Sequence, residues 1–194
     1  MIRRYLAAAL APLLLLSLLL SLASCGKSYE RSEEITDLVC ISVEGYGNII
    51  VKLDPTSAPI TVANFKKLVS EGFYTGSDFH RIIDDFMIQG GRSAIGASAA
   101  RIEGEFELNG HDNPIKHKRG VISMARANAF NSASSEFFIV QTKHADWLDG
   151  KYAAFGRVVS GMKIVDRIAG VSTNFSDMPF DPVIIREIYF VRHK

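Results

Sequence analysis

Short runs of apolar residues broken by turn signals recur along most of the chain, a pattern that predicts strands more often than helices. Residues 38–43 and 48–53 are rich in β-branched side chains and flank Glu44-Gly45-Tyr46-Gly47, which reads as a hairpin turn. After Pro59 the period lengthens. Val62, Phe65, Leu68 and Val69 recur on one helical face, Pro59 suits the first turn, and Gly72 stops the helix. Two short strands follow, at about 78–83 and 86–89, and then a long loop, about 90–118, rich in Gly, Ala, Ser and Asn. Further strands are predicted at about 120–124, 136–141 and 153–159. A second helix over 161–169 turns Met162, Val165 and Ile168 inward, and a last strand covers 183–191. Many short strands with only two helices suggest a mainly β fold, an antiparallel barrel whose closure removes exposed strand edges.

The first 24 residues depart from this pattern. Arg3 and Arg4 precede an apolar run from Leu6 to Leu20, which ends in Leu22-Ala23-Ser24-Cys25. This is the shape of a secretory signal. Its ending resembles the bacterial lipobox, in which the cysteine is lipidated and becomes the new first residue. The apolar run is shorter than the roughly 20 residues needed to span a bilayer. The organisation read here is a lipoprotein signal peptide over 1–24, lipidated Cys25 with a flexible tether over 25–36, and one domain over 37–194. The expected location is extracytoplasmic, lipid-anchored to a bacterial membrane at the cell surface or the periplasmic face.

Charge adds exclusions. The whole chain carries a formal charge of +1. The leader holds two of its 22 basic residues and none of its 21 acidic ones, so the 170 residues left after cleavage carry −1. Nucleic-acid binding normally needs a basic face, and none is evident. No polybasic stretch holds a membrane electrostatically, so attachment rests on lipid, and stable anchoring takes more than one acyl chain. With Cys25 lipidated only Cys40 remains, which rules out an intrachain disulfide. Cys40 sits in Leu38-Val39-Cys40-Ile41 and reads as a small buried hydrophobe. His80, His111, His117, His144 and His193 are scattered. His111 and His117 lie in a polar loop without the pattern that would complete a metal site. No metal or other cofactor is expected, and monomer is the expected state.

The chemistry is concentrated in residues 79–91, Phe-His-Arg-Ile-Ile-Asp-Asp-Phe-Met-Ile-Gln-Gly-Gly. This run supplies no activated nucleophile, base or metal cluster. It sets Arg81 beside a mixed aromatic, thioether and amide strand ended by Gly90 and Gly91. A fixed cation next to an apolar surface suits a reaction that breaks no bond. Three more blocks follow: Gly120-Val121-Ile122-Ser123-Met124-Ala125, then Asn131-Ser132-Ala133-Ser134-Ser135-Glu136-Phe137-Phe138-Ile139, then Trp147-Leu148-Asp149-Gly150-Lys151-Tyr152-Ala153-Ala154-Phe155-Gly156. In order and near spacing all four resemble the motifs of the cyclophilins, the peptidyl-prolyl cis-trans isomerases. The resemblance covers roughly 37–192.

That resemblance implies a closed eight-stranded antiparallel β-barrel capped by two α-helices. It also implies a site. Arg81 matches the catalytic arginine and Gln89 the glutamine that orients it. Phe86, Met87, Phe138 and Leu148 match the proline pocket. Ala125 and Arg126 match positions whose backbone holds the substrate peptide. Trp147 matches the tryptophan associated with cyclosporin, which makes cyclosporin an implied ligand. Tyr152 falls where many eukaryotic members carry a histidine at the pocket rim. The implied substrates are proline-containing peptides and unfolded proteins, which places the activity in the folding of secreted or envelope proteins.

The residue types agree with that chemistry. An amide is planar by resonance, with a barrier of about 18–20 kcal/mol, and X-Pro isomers exchange over tens to hundreds of seconds unaided. A permanent donor aimed at the proline nitrogen favours the twisted state over either planar one. Arginine is such a donor, being always charged. Period 2 puts Met87 and Gln89 on one strand face, where the thioether can line a ring pocket and the amide can aim a guanidinium. Three features depart from the family pattern. Glu136 replaces a usual glutamine and is expected to pair with Arg81 or Arg126 and to repel acidic residues beside a substrate proline. Arg92 stands where an acidic residue is common, and Asp84-Asp85 replaces the usual turn residues. A peptide-binding or holdase module with little isomerase activity is the alternative function. A hydrolase is disfavoured: Ser134 and Ser135 lack the Gly-x-Ser-x-Gly elbow, and His80 reads as a hydrogen-bonded core histidine.

Overall fold

The computed structural model describes residues 28–194. The signal-peptide reading, Cys25 and the start of the predicted tether lie outside these residues. Nine strands form one antiparallel sheet: β1 (Tyr29–Arg31), β2 (Leu38–Val43), β3 (Gly47–Leu53), β4 (Arg81–Ile83), β5 (Met87–Gly90), β6 (Val121–Met124), β7 (Phe137–Val140), β8 (Ala154–Ser160) and β9 (Ile185–His193). Their spatial order is β1-β9-β2-β3-β8-β6-β7-β5-β4. Two helices, α1 (Pro59–Ser70) and α2 (Met162–Ala169), complete the domain.

The pleat sorts side chains into two apolar layers. Ile82, Ile88, Ile122, Met124, Phe137 and Ile139 point into the main core, with Val62, Phe65, Leu68 and Val69 of α1 and Val165 and Ile168 of α2. Phe65 sits at its centre, with ring centroids 5.3 Å from Tyr74, 5.7 Å from Phe137 and 5.2 Å from Phe155. The alternate residues of the same strands face outward. Met87, Val121, Phe138 and Val140 join Ala145, Leu148 and Ala154 in a second cluster. Strands β6 and β7 are therefore buried on both faces, which is why β7 reads as a continuous apolar run and β6 as one broken only by Ser123.

Two expectations change. The ladder has nine strands rather than eight, and its order ends at β1 and β4 without a β1–β4 ladder. The extra strand, β1, lies in the segment read as a flexible tether. It pairs with β9, Tyr29 opposite His193 and Arg31 opposite Val191. The free edge of β4 is covered by loop hydrogen bonds in place of a strand. Phe79 N donates to Val183 O at 2.9 Å and Ile82 N to Asp177 O at 2.8 Å, beside a lone bridge between Asp78 and Ile184. Such cover removes the pairing hazard of an edge.

The long loop before β6 is irregular apart from a 3-10 turn at Glu107–Asn109, yet it is anchored. Glu105, almost fully buried, accepts from Ile60 N at 2.9 Å and Thr61 N at 2.7 Å. A carboxylate thereby meets amide donors that the first turn of α1 leaves unpaired.

Candidate active site

Register builds the site as rows across the outward face. Arg81 on β4 stands opposite Gln89 on β5, Gln89 opposite Phe138 on β7, and Phe138 opposite Ser123 on β6. In the next row Ile83 faces Met87 and Met87 faces Val140. At about 4.8 Å per strand, Arg81 lies some 10 Å from Phe138 in the backbone. The predicted pocket residues Met87, Phe138 and Leu148 are buried in this outward cluster, and Phe86, Ala125 and Tyr152 pack against it. Tyr152 meets the Phe138 ring edge-on at 5.8 Å. Trp147 lies 5.5 Å from Phe86 and remains 56% exposed, an aromatic rim over the apolar floor.

Arg81 is half-exposed. Its Nε donates to Asp177 Oδ2 at 3.2 Å, with 39–43% of each side chain open to water. Among the described residues its two terminal nitrogens donate no hydrogen bond. The guanidinium is thus steered from behind while its fork stays available.

Gln89 does not aim Arg81. Its Nε2 donates to Glu136 Oε2 at 2.9 Å. Glu136 in turn pairs with neither Arg81 nor Arg126, but with Arg92, whose Nε reaches Oε1 at 3.2 Å. His80 Nε2 lies 3.2 Å from Glu136 Oε2, skewed from hydrogen-bond alignment, and its buried Nδ1 has no partner among the described residues. The expected core histidine is therefore buried, with Nε2 against the Glu136 carboxylate and Nδ1 without a partner among the described residues. The His80 contact foremost, then the Gln89 amide and the Arg92 charge, outweigh burial and hold the Glu136 carboxyl down to about 2. The reason for the altered pairing is local. Glu136 immediately precedes β7 and Arg92 follows the Gly90-Gly91 end of β5, and these two strands are paired. Arg81 is one strand further away.

Arg126 is also committed. Its Nε donates to Lys151 O at 2.9 Å and Nη1 to Ala127 O at 2.9 Å, while the guanidinium carbon lies 4.8 Å from the Tyr152 ring centroid and 5.0 Å from that of Phe106. It ties the segment after Ala125 to the Tyr152 rim.

One constellation escaped the sequence reading. His117, placed above in a polar loop, is buried. Its Nδ1 lies 2.9 Å from Asp149 Oδ1 and its Nε2 3.0 Å from Ser123 Oγ. The order Ser–His–Asp is that of a hydrolase triad, but Ser123 has no exposed surface and no substrate can reach it. Burial lowers the imidazole pKa, against the opposing pull of Asp149. The ring stacks at 6.1 Å on Phe138, so the network supports the pocket wall from below. The nearest sequence signal was the pairing of Ser123 and Asp149 with the motif blocks, which gives no contact.

A separate cleft of about 610 Å³ shares Ile115 and Val121 with the outward cluster. Lys52 and Arg157 line it and stand directly opposite each other in register, so it offers charge rather than an apolar seat for a ring. Among the described residues no group of three or more His, Cys, Asp or Glu could hold a metal, and no helix is long and apolar enough to cross a membrane.

The family model for cyclophilin type peptidyl-prolyl cis-trans isomerase/CLD matches residues 38–190. The chain is 37% identical over 154 residues to peptidyl-prolyl cis-trans isomerase A of Dickeya dadantii, covering 75% of this chain and 80% of that protein. It is 41% identical over 145 residues to human peptidyl-prolyl cis-trans isomerase-like 1, covering 74% and 86%. Among solved structures, a Cryptosporidium parvum cyclophilin type isomerase crystallised in the presence of the dipeptide Ala-Pro superposes with a TM-score of 0.67 at 28% identity, over 78% of this chain and 97% of that one. A match across the whole β2–β9 unit, with the outward cluster beside Arg81, places this chain in the cyclophilin-type peptidyl-prolyl cis-trans isomerase family.

Proposed function

We propose that the protein catalyses rotation of X-Pro bonds at the outward face of β4, β5 and β7. The observation that carries this is the guanidinium of Arg81, fixed through Nε to Asp177 with its terminal nitrogens unengaged, on the same face as Met87 and Phe138. The proline ring seats among Met87, Phe138 and Leu148, under the Phe86 and Trp147 rim. As the imide twists, C–N double-bond character is lost and the proline nitrogen gains a lone pair. A terminal N–H of Arg81 donates to it, an interaction absent from both planar isomers, so the barrier falls. Ala125 and Arg126 hold the flanking backbone. No bond to substrate is made or broken, and no cofactor enters the cycle. A prolyl exchange assay on a short peptide tests this. Wild-type turnover with a steep loss in Arg81→Ala supports the enzyme, whereas peptide binding without faster exchange supports the holdase alternative.

The Leu22-Ala23-Ser24-Cys25 ending supports a lipid on Cys25 and hence service to envelope or secreted clients. Mass spectrometry of the mature N-terminus tests it: a diacylglyceryl mass on Cys25 is expected, and an unmodified Met1 or a free Cys25 thiol overturns it. Cyclosporin binding is expected through Trp147 and is read by titrating inhibition.

A further inference from the structure

Residues 173–179 form a tight hairpin beyond the edge of β4. Thr173 bridges Pro179, Asn174 N donates to Met178 O at 2.9 Å, and Asp177 N to Asn174 O at 3.0 Å. The Asn174 side chain accepts from Ser176 N at 2.9 Å and Met178 N at 3.1 Å. Phe180 N closes back on Ser172 O at 3.1 Å. Asp177, held in the left-handed region at φ 60° with Asp85 as its only non-glycine companion among the described residues, seats the hairpin twice on β4: through Ile82 N and through Arg81 Nε.

Turns of this kind normally carry small and polar residues. This one carries Phe175, fully exposed, Met178, 49% exposed, and Phe180, 69% exposed. None of the three packs in any apolar cluster of the domain. Large apolar side chains held in water on a braced backbone mark an interaction surface.

Strand order says what reaches it. From the end of β6, where Ala125 lies, to β4 is three strand spacings, about 14 Å. The hairpin lies past β4 on that line. An extended chain advances at most 3.3–3.6 Å per residue. At that rise a peptide held at Ala125 needs only a few residues to span from β6 past β4 to the hairpin. Asp177 is paired with Arg81, and the exposed Asp181 beside Phe180 has no ion-pair partner among the described residues, so the rim is apolar with acidic character.

We propose that this hairpin is a second recognition element of the groove, taking a large apolar side chain that flanks the client proline on the Arg81 side. It rests on the isomerase reading of Arg81 and adds the client class: X-Pro bonds set in apolar sequence, as an unfolded core segment presents them.

The test uses the full-length chain and prolyl peptides carrying Leu or Ser at the second position before or after the proline. Wild type is expected to favour Leu on one flank by about tenfold in kcat/KM, carried by KM. In the triple variant Phe175→Ser, Met178→Ser, Phe180→Ser that ratio is expected to fall to about one, while turnover of the Ser peptides holds. The three side chains are exposed, so the fold should survive, and circular dichroism checks it. A wild type indifferent to Leu on both flanks, or a triple variant that keeps the preference, overturns the proposal and leaves the role of Arg81 standing. An Arg81→Ala protein with undiminished turnover overturns that role and this proposal together. A triple variant whose only change is weaker partition onto phosphatidylglycerol vesicles also overturns it, and assigns the surface to the membrane.

Discussion

The Gln89 amide donates to the Glu136 carboxylate at 2.9 Å and not to the Arg81 guanidinium opposite it in register. Arg81 is steered instead by Asp177, which lies 96 residues further along the chain. The fixed cation of this site is thus oriented from a loop that closes the sheet edge, and the amide–carboxylate pair belongs to a separate network with His80 and Arg92.

That separation bears on Glu136. Glu136→Gln keeps a hydrogen-bonding group beside Gln89 and removes the charge. It is expected to keep or raise turnover on a neutral Ala-Pro peptide, and to raise it further on one with an acidic flank. Losing the half-exposed pair with Arg92 should cost under about 1 kcal/mol. A large fall in kcat/KM would show that the carboxylate itself serves the reaction.

Arg81→Ala is expected to lower kcat/KM by about 100- to 1,000-fold, the usual loss when one stabilising donor is removed. Peptide affinity should hold within a few-fold, because the ring seat is untouched. Arg81→Lys keeps the charge but not the fork, and is expected to recover only part of the rate. Exchange measured by NMR, with binding titrated on the same samples, separates the two quantities.

Acid should destabilise the fold in two stages. The His117 pKa is lowered by burial from 6.5. Below that value the unfolded chain binds a proton that the folded chain refuses, so stability falls as pH drops below about 6.5. The Glu136 carboxyl is lowered from 4.5 to about 2. Its contribution is complete above 4.5 and is lost as pH falls from 4.5 towards 2. Thermal unfolding followed from pH 8 to 3 should show both slopes. His117→Gln should flatten the first and Glu136→Gln the second. A Tm independent of pH between 6.5 and 5 would contradict the buried neutral imidazole.

Phe65→Ala and Phe138→Ala divide the two apolar layers. Phe65 is wholly buried among three rings of the main core, and its truncation should cost about 3–5 kcal/mol in chemical denaturation. Phe138 forms a wall of the outward cluster. Its truncation should cost less stability and abolish most of the prolyl turnover, read by the exchange assay. The reverse ranking would place the substrate seat elsewhere.

Local sequence carried the elements well, because each has a periodic signature. The hairpin of β2 and β3, the Pro59-led α1 and the Gly161-led α2 lie within a residue or two of their predicted bounds. Its motif blocks also supplied Met87, Phe138 and Leu148, which the fold gathers into one outward apolar cluster. It missed β1, since Tyr29–Arg31 is polar and becomes a strand only when β9 offers an edge. It misplaced His117, since a histidine among lysines looks solvated until Asp149 and Ser123 close around it.

Pairing of charges was decided at another level. Glu136 had several cations within plausible reach in sequence, and the β5–β7 register brought Arg92 to it while leaving Arg81 one strand away. Periodicity and motif spacing are local properties, and they were enough to mark a mainly β isomerase-family domain with one arginine beside an apolar strand. What holds that arginine, how the sheet edge is covered and which apolar side chains stay in water came from folding alone, because each depends on contacts between segments far apart in the chain.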